Sequence, residues 1–364
     1  MQIHKIDFWK KNFDQKNINI NLKKNILNRN ISEGATVRIF EDKIANFLKC
    51  KYVLAVPNGS VALLISLISL KLKKNDEVIL PDRSWISALN AINLLGLKAK
   101  FVDVENYSPI ICCQQLKKVI SHKTKVIIAV HMGGRLCDME KINIMAKKKK
   151  IFVIEDAAQS FGCKFTKKKK YAGTFSDIGC FSLSIAKTIS SGQGGFVVTN
   201  NQSIFKSLKK IKNNGLLDIR NIKNWGNVGL NFKYTDILAT LAISDLNRFK
   251  YYKKKLINLY KLYLKNLNNR KIKIITVDYK NGEIPQYIEA LCNQRNKLQK
   301  FLKKIKVESR IFYPSMHRTN NKDKSFNRIF LNSVNFQRNG IYLPSGPNQN
   351  LNKISKLIKV LNTF

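Results

Sequence analysis

The chain has 364 residues, 44% of them hydrophobic, which suffices for a full core and, at this length, for a large domain plus a smaller one. Lysine and arginine number 66 against 23 acids, a net charge of +43, but they are spread along the whole chain, with no aromatic-interleaved stripe and no helix-turn-helix or zinc-finger spacing. This argues against a specific nucleic-acid binder and for compositional drift, leaving a cationic surface that holds polyanions weakly and in a salt-dependent way.

Seven cysteines without a CxxC pair, two of them adjacent (Cys112 and Cys113), read as reduced thiols of a cytoplasmic protein. His4, His122, His131 and His317 are scattered, so no metal site is expected. The start, MQIHKIDFWKK, lacks the apolar stretch of a signal peptide, and the longest apolar run, Val61 to Leu70, is too short to span a bilayer. No membrane partner is expected.

In chain order, residues 37–48 read as an amphipathic helix, followed by a βαβ rhythm. Strands are expected at Tyr52–Val56, Glu77–Leu80, Ala99–Val104, Val126–Val130 and Ile151–Glu155. Helices are expected at Ser60–Leu72, Ile86–Leu95 and Asp138–Lys149. Two more strands, Gly179–Leu183 and Gly195–Thr199, flank a loop rich in small residues. Residues 235–267 carry apolar positions at helical spacing and predict one long or broken helix. Beyond them, strand-like Ile272–Val277 and Gln286–Leu291 mix with helical Arg295–Ile305 and Leu351–Leu361. This pattern predicts an α/β fold with a mostly parallel central sheet flanked by helices, over residues 1–240, and a smaller C-terminal α+β domain over 241–364.

The chemistry-bearing residues cluster around that sheet. Asp156 closes a buried-strand pattern, Gln159 lies one helical turn on, and Lys187 sits in FSLSIAKTISSGQGG. An acid at a strand end followed by a lysine in a small-residue loop suits pyridoxal phosphate: the amine bonds to the cofactor aldehyde, and the carboxylate keeps the pyridine nitrogen protonated. Asn58-Gly59-Ser60-Val61 opens a helix directly after a strand, where backbone amides attract a phosphate, and Ser182 offers a second hydroxyl. Trp85 falls at the carboxyl end of a strand, where its indole can stack on a ring. Plainer readings exist for each: Asn58 as a simple helix cap, Trp85 as a core residue, Asp156 as a cap, Lys187 as one surface lysine among many.

The segments VPNGSVALLISLISL, DEVILPDRSWISALNAI, VHMGGRLCDMEKI, VIEDAAQSFG, GTFSDIGCFSLSIAKTISSGQGGFVVTN, VGLNFKYTDILATLAISDL, ESRIFYPSMH and LPSGPN, in this order, resemble the DegT/DnrJ/StrS family of sugar aminotransferases, of the aspartate aminotransferase superfamily (fold type I). The resemblance implies pyridoxal phosphate bound through Lys187 as Schiff-base lysine and proton shuttle. It implies Asp156 on the ring nitrogen, Gln159 on the ring oxygen, Trp85 stacked, and Gly59, Ser60, Val61 and Ser182 around the phosphate. Asn231, in GLNFKY, would reach the phosphate in a neighbouring subunit, which implies a homodimer with shared sites. Arg310 and His317 fall on the substrate side. The implied reaction moves an amino group from an amino acid, glutamate being expected, to a nucleotide-linked 4-keto-6-deoxy sugar, with perosamine-synthase-like members nearest. Amination of a cyclitol or other ketone, or a binding protein on a retired enzyme fold, are the alternatives. Gly133 departs from the family pattern, standing where an aromatic is common, as do Lys233 for arginine and Met316 for leucine.

Overall fold

The computed structural model describes residues 5–29, 31–218, 227–320 and 329–364. Its strands are β1 (Tyr52–Val56), β2 (Glu77–Pro81), β3 (Lys98–Val102), β4 (Thr124–Val130), β5 (Phe152–Asp156), β6 (Lys164–Phe165), β7 (Lys170–Tyr171), β8 (Ile178–Ser182), β9 (Gly195–Thr199), β10 (Ile272–Ile274), β11 (Ile288–Cys292), β12 (Arg310–Ile311) and β13 (Gly340–Leu343). The helices are α1 (Gln15–Leu27), α2 (Ala35–Leu48), α3 (Gly59–Ser69), α4 (Ser87–Leu94), α5 (Cys113–Val119), α6 (Met139–Lys148), α7 (Gln202–Lys212), α8 (Asp236–Asn247), α9 (Phe249–Asn266), α10 (Arg295–Lys304), α11 (His317–Asn320), α12 (Leu331–Asn339) and α13 (Leu351–Asn362).

The large sheet has seven strands in the order β1-β9-β8-β5-β4-β2-β3. Strands β3, β2, β4, β5 and β8 run parallel, and β9 is antiparallel to both its neighbours. Helices cover both faces, so β2, β4 and β9 are apolar along nearly their whole length rather than alternating. One face packs Leu54, Val78, Ile128 and Ile154 under α3, α4 and α7; the other packs Ile79, Ile127 and Val153 under α5 and α6, with Val53, Ala55 and Phe181 under α2 and α8. Helix starts follow the capping chemistry of the sequence: Asn58, Asp138, Asn201 and Thr235 each accept an amide of the first turn.

Of the two forms expected for the 235–267 stretch, the broken one is found: α8 and α9. Arg248 leaves helical geometry, and beyond it Phe249 packs edge-on against Phe47 and Phe161. The second sheet, β10-β11-β13-β12, is antiparallel throughout and packs Ile288, Ala290 and Ile341 against α9, α10 and α13. The N-terminal segment runs along this sheet: Ile6 bridges Val307 and Trp9 bridges Ser345. No helix among the described residues is long and apolar enough to cross a membrane.

Candidate active site

The parallel strands β2, β4, β5 and β8 end side by side, and their carboxyl ends carry the polar residues singled out in the sequence. Asp156 is the last residue of β5 and Ser182 the last of β8. Trp85 follows β2, and residues 131–135 follow β4. Crevices at such strand ends are where open α/β sheets bind ligands.

Asp156 is 7% exposed, and its Oδ1 accepts from the Ala158 amide at 3.1 Å. Burial pushes its carboxyl above the usual carboxylate range, while the Ala158 amide, Lys187 and His131 pull the other way. Lys187 is half-buried on the loop between β8 and β9. Desolvation pulls its amine down to about 8, against the attraction of Asp156. The charge of each of these two residues thus offsets part of the other's desolvation.

Behind them lies a fixed shell. His131 Nδ1 accepts from the Cys137 amide at 3.1 Å, so Nε2 carries the proton and donates to Glu155 at 3.0 Å. Glu155 also accepts the amides of Gly173, Phe175 and Ser176. The His131 amide bonds the Asp156 carbonyl at 3.0 Å, tying β4 to β5 at the level of the acid. Gln159 is 8% exposed and its Oε1 accepts from the Gly133 amide at 2.9 Å, which orients the side-chain NH2 as the end left to donate.

Helix α3 begins against the end of β8. A Cβ on Gly195 would meet the Asn58 backbone at 2.6 Å, so that glycine is required by close approach, and one on Gly59 would sit tightly, 3.0 Å from the Ser182 Cβ. The Val61 amide is taken by Asn58 Oδ1 at 2.8 Å. The amides of Gly59 and Ser60, at the helix start, remain the ones pointing out of it. The Ser60 hydroxyl is exposed and lies 2.8 Å from the Ser87 hydroxyl. The Ser182 hydroxyl accepts the Ser184 amide at 3.3 Å and keeps its proton to give. The cradle accordingly fits a phosphate group, with the acid–lysine pair beside it fitting a protonated pyridine ring and its aldehyde. Trp85 is 54% exposed, its ring 5.0 Å from Tyr313 and edge-on, so it is not a core tryptophan.

Three other expected residues stand elsewhere. Asn231 is exposed, bridges Asn213, and accepts the Lys233 amide at 3.3 Å. Arg310 is exposed, with its guanidinium 4.4 Å over the Phe8 ring. His317 is 2% exposed: its amide and Nδ1 both engage the Asp82 carboxylate, at 2.7 and 2.8 Å, and its ring stacks on Phe330. Gly133 departs from the aromatic pattern for a steric reason. At φ +63 a Cβ there would run into Arg135 Nη1 and Glu289 Oε2, a buried ion pair lying directly beneath.

Several residues at the site carried no signal in the sequence. Lys11 holds the lysine loop from below, with Nζ donating to the carbonyls of Lys187 and Thr188 at 3.1 and 2.9 Å and pairing with Asp245. Gln286 and Tyr287 donate to the Ala186 carbonyl at 2.7 and 3.1 Å. Each of these contacts joins segments remote in the chain, and no local pattern announces it.

The fold is the one shared by pyridoxal-phosphate-dependent aminotransferases of fold type I. The sequence profile of the DegT/DnrJ/EryC1/StrS aminotransferase family matches residues 13–362, and the chain belongs to that family. It is 31% identical over 341 residues to the GDP-perosamine synthase of Escherichia coli O157:H7, covering 92% of this chain and 91% of that protein. Among solved structures it resembles ntda from Bacillus subtilis with bound cofactor PMP (TM-score 0.89, 22% identity, 100% of this chain and 86% of that one). It also resembles DesI in the presence of its TDP-sugar product (TM-score 0.88, 20% identity, 97% and 90%).

Proposed function

We propose that the protein transfers an amino group from an amino acid, glutamate being the expected donor, to the keto carbon of a nucleotide-linked 4-keto-6-deoxy sugar. The observation that carries this is the buried Asp156 at the carboxyl end of the sheet and the desolvated Lys187, each acting on the other's charge. Coverage of nearly the whole length of a GDP-perosamine synthase supports the sugar class. When bound, pyridoxal phosphate supplies an aldehyde for exchange of amines and a ring that accepts electrons.

The residues of this chain do the rest. Asp156 holds a proton on the ring nitrogen, and Gln159 donates to the ring oxygen. Trp85 covers the ring face, while Gly59, Ser60, Val61 and Ser182 surround the phosphate, Val61 through its place in the first turn. Lys187, with its amine near 8, is neutral often enough at physiological pH to attack a carbonyl and to carry a proton at the reacting carbon. Asn231 completes the phosphate site of a second copy in a homodimer. Arg310 and His317 serve the substrate side, His317 in the posture that Asp82 fixes.

The test is a panel of keto-sugar nucleotides incubated with glutamate and the loaded enzyme, with products read by mass. An amino sugar nucleotide and 2-oxoglutarate in equal amounts are expected. Amination only of a free cyclitol ketone would replace the sugar reading.

A further inference from the structure

Lys187 sits on the loop between β8 and β9, which ends in Gly192 and Gly194, both at positive φ. Inside the loop only short turns close: the Lys187 amide bonds the Ser184 carbonyl at 3.1 Å and the Ser191 amide the Leu183 carbonyl at 3.0 Å. The carbonyls of Ala186, Lys187 and Thr188 are taken from outside it. Gln286 and Tyr287 donate to the first, and Lys11 Nζ donates to the other two at 3.1 and 2.9 Å. A glycine-rich loop has many backbone states open to it, so such outside holds decide where its lysine points.

Lys11 is built for this hold. Its side chain is buried, and the third donor of its ammonium goes to Asp245 on α8, so three donors meet three acceptors. The Tyr252 ring lies 4.5 Å from Nζ. The residues on either side of Lys11 are pinned to the turn after β13. The Lys10 amide bonds the Ser345 carbonyl at 3.1 Å, the Asn348 amide the Lys10 carbonyl at 3.1 Å, and the Asn12 amide Asn348 Oδ1 at 2.9 Å. Asp245 in turn takes the Ser190 amide and the Tyr252 hydroxyl at 2.9 Å. The pair thus braces the loop from Lys187 to Ser190, between the N-terminal segment and α8.

We propose that Lys11 is a positioning residue for Lys187: by holding the carbonyls of Lys187 and Thr188 it fixes the direction from which the Lys187 amine meets the cofactor and the reacting carbon. The inference rests on the aminotransferase reading. An amine displaced by about an ångström loses up to a hundredfold in rate, so Lys11 acts on the maximal rate and not on the affinity for donor or sugar. The competing reading is that Lys11 only cross-links the N-terminal segment to α8. The two differ once the stranded charge of Asp245 is removed. In Lys11→Met with Asp245→Asn the amide side chain can still accept from Ser190, and no charge is left unpaired. Met, however, cannot donate to the two carbonyls.

Wild type, Lys11→Met, the double variant and Lys11→Arg are compared by urea unfolding, by hydrogen exchange of the cofactor-free proteins, by growth of the visible band on addition of pyridoxal phosphate, and by steady-state kinetics. The double variant should recover part of the unfolding midpoint lost in Lys11→Met and none of the rate. Band growth and kcat are expected at least about tenfold below wild type in both. The KM values for donor and sugar should stay within about threefold. Peptides from 183–191 should exchange at least about tenfold faster, while those of β5 and β8 are unchanged. If band growth and kcat return together with the unfolding midpoint in the double variant, Lys11 is only a cross-link and the proposal falls. A rise in either KM at unchanged kcat overturns it as well. Lys11→Arg keeps a cation for Asp245, but its planar head cannot place three donors around one nitrogen, so band growth should slow at least about threefold. Should neither Met variant fold, wild-type band growth in Lys11→Arg overturns the proposal. A wild type that transfers no amino group from any amino acid sinks the aminotransferase reading, while band growth and loop exchange still decide Lys11.

Discussion

Lys11 Nζ donates to the main-chain carbonyl of Lys187 at 3.1 Å, so the lysine proposed to hold the cofactor is itself held by a lysine from the N-terminal segment. The same ammonium reaches the Thr188 carbonyl at 2.9 Å and pairs with Asp245, whose carboxylate also takes the Ser190 amide and the Tyr252 hydroxyl. Both partners of the pair are 1% exposed at the side chain. The loop that presents Lys187 is therefore tied at three consecutive carbonyls, those of Ala186, Lys187 and Thr188.

Replacing Lys11 by Met leaves Asp245 buried without its cation. A loss of about 3 kcal/mol of stability is expected, the lower end for breaking a buried pair from one side. The double variant Lys11→Met with Asp245→Asn should recover part of it, because no charge is then stranded. Urea unfolding of the four proteins checks this, and additive losses would show that the pair is not coupled.

Lys187→Ala should abolish turnover and remove the visible band of a lysine-bound cofactor. Borohydride treatment of wild type followed by peptide mapping should place the adduct on Lys187. Uptake of the cofactor by the empty protein should also depend on pH. Burial lowers the Lys187 amine to about 8, so the reactive neutral form grows as pH rises from 7 and is nearly complete above about 9. The rate of growth of the visible band should climb through that window and level off. A rate still climbing through pH 10 would mean an ordinary, solvated lysine.

Asp156→Asn should leave the fold intact, since an amide retains the bond from the Ala158 amide. It cannot hold the ring proton electrostatically, and turnover should fall at least about a hundredfold, the scale for removing one strong electrostatic group from a dry site. Rates are compared at saturating donor. A near-normal rate would mean that another acid serves the ring nitrogen.

Asn231→Ala should impair activity if its side chain completes a partner's site. Mixing refolded Lys187→Ala and Asn231→Ala chains should then restore about a quarter of wild-type activity, since half of randomly paired dimers hold one intact site. Sizing should show the dimer in both variants. An active monomer, or mixing without gain, would place the whole site within one chain.

Much of the large sheet was legible because its elements are specified locally. The run YVLAV before Asn58-Gly59 forms β1 and α3 nearly where expected, and Ile151–Glu155 shifts by one residue so that Asp156 closes the strand. Strands buried on both faces announce themselves by continuous apolar runs, and polar residues at their ends announce the site. The broken helix at Arg248 and the antiparallel pairing of the small sheet were less legible, since both depend on distant partners such as Phe47, Phe161 and β13.

By itself the sequence determined the α/β alternation, the acid at the end of β5 and the lysine in its glycine-rich loop, because periodicity, capping residues and glycines act over a few residues. Only the tertiary structure decided what holds and surrounds that lysine. Lys11 meets Asp245, Arg83 lies between Phe312 and Glu289, and His317 locks onto Asp82. Each of these is a buried contact whose members are chosen by which chain segments the packed core brings together. In a chain with 66 basic residues, nothing in the local sequence tells such a residue from a solvated one.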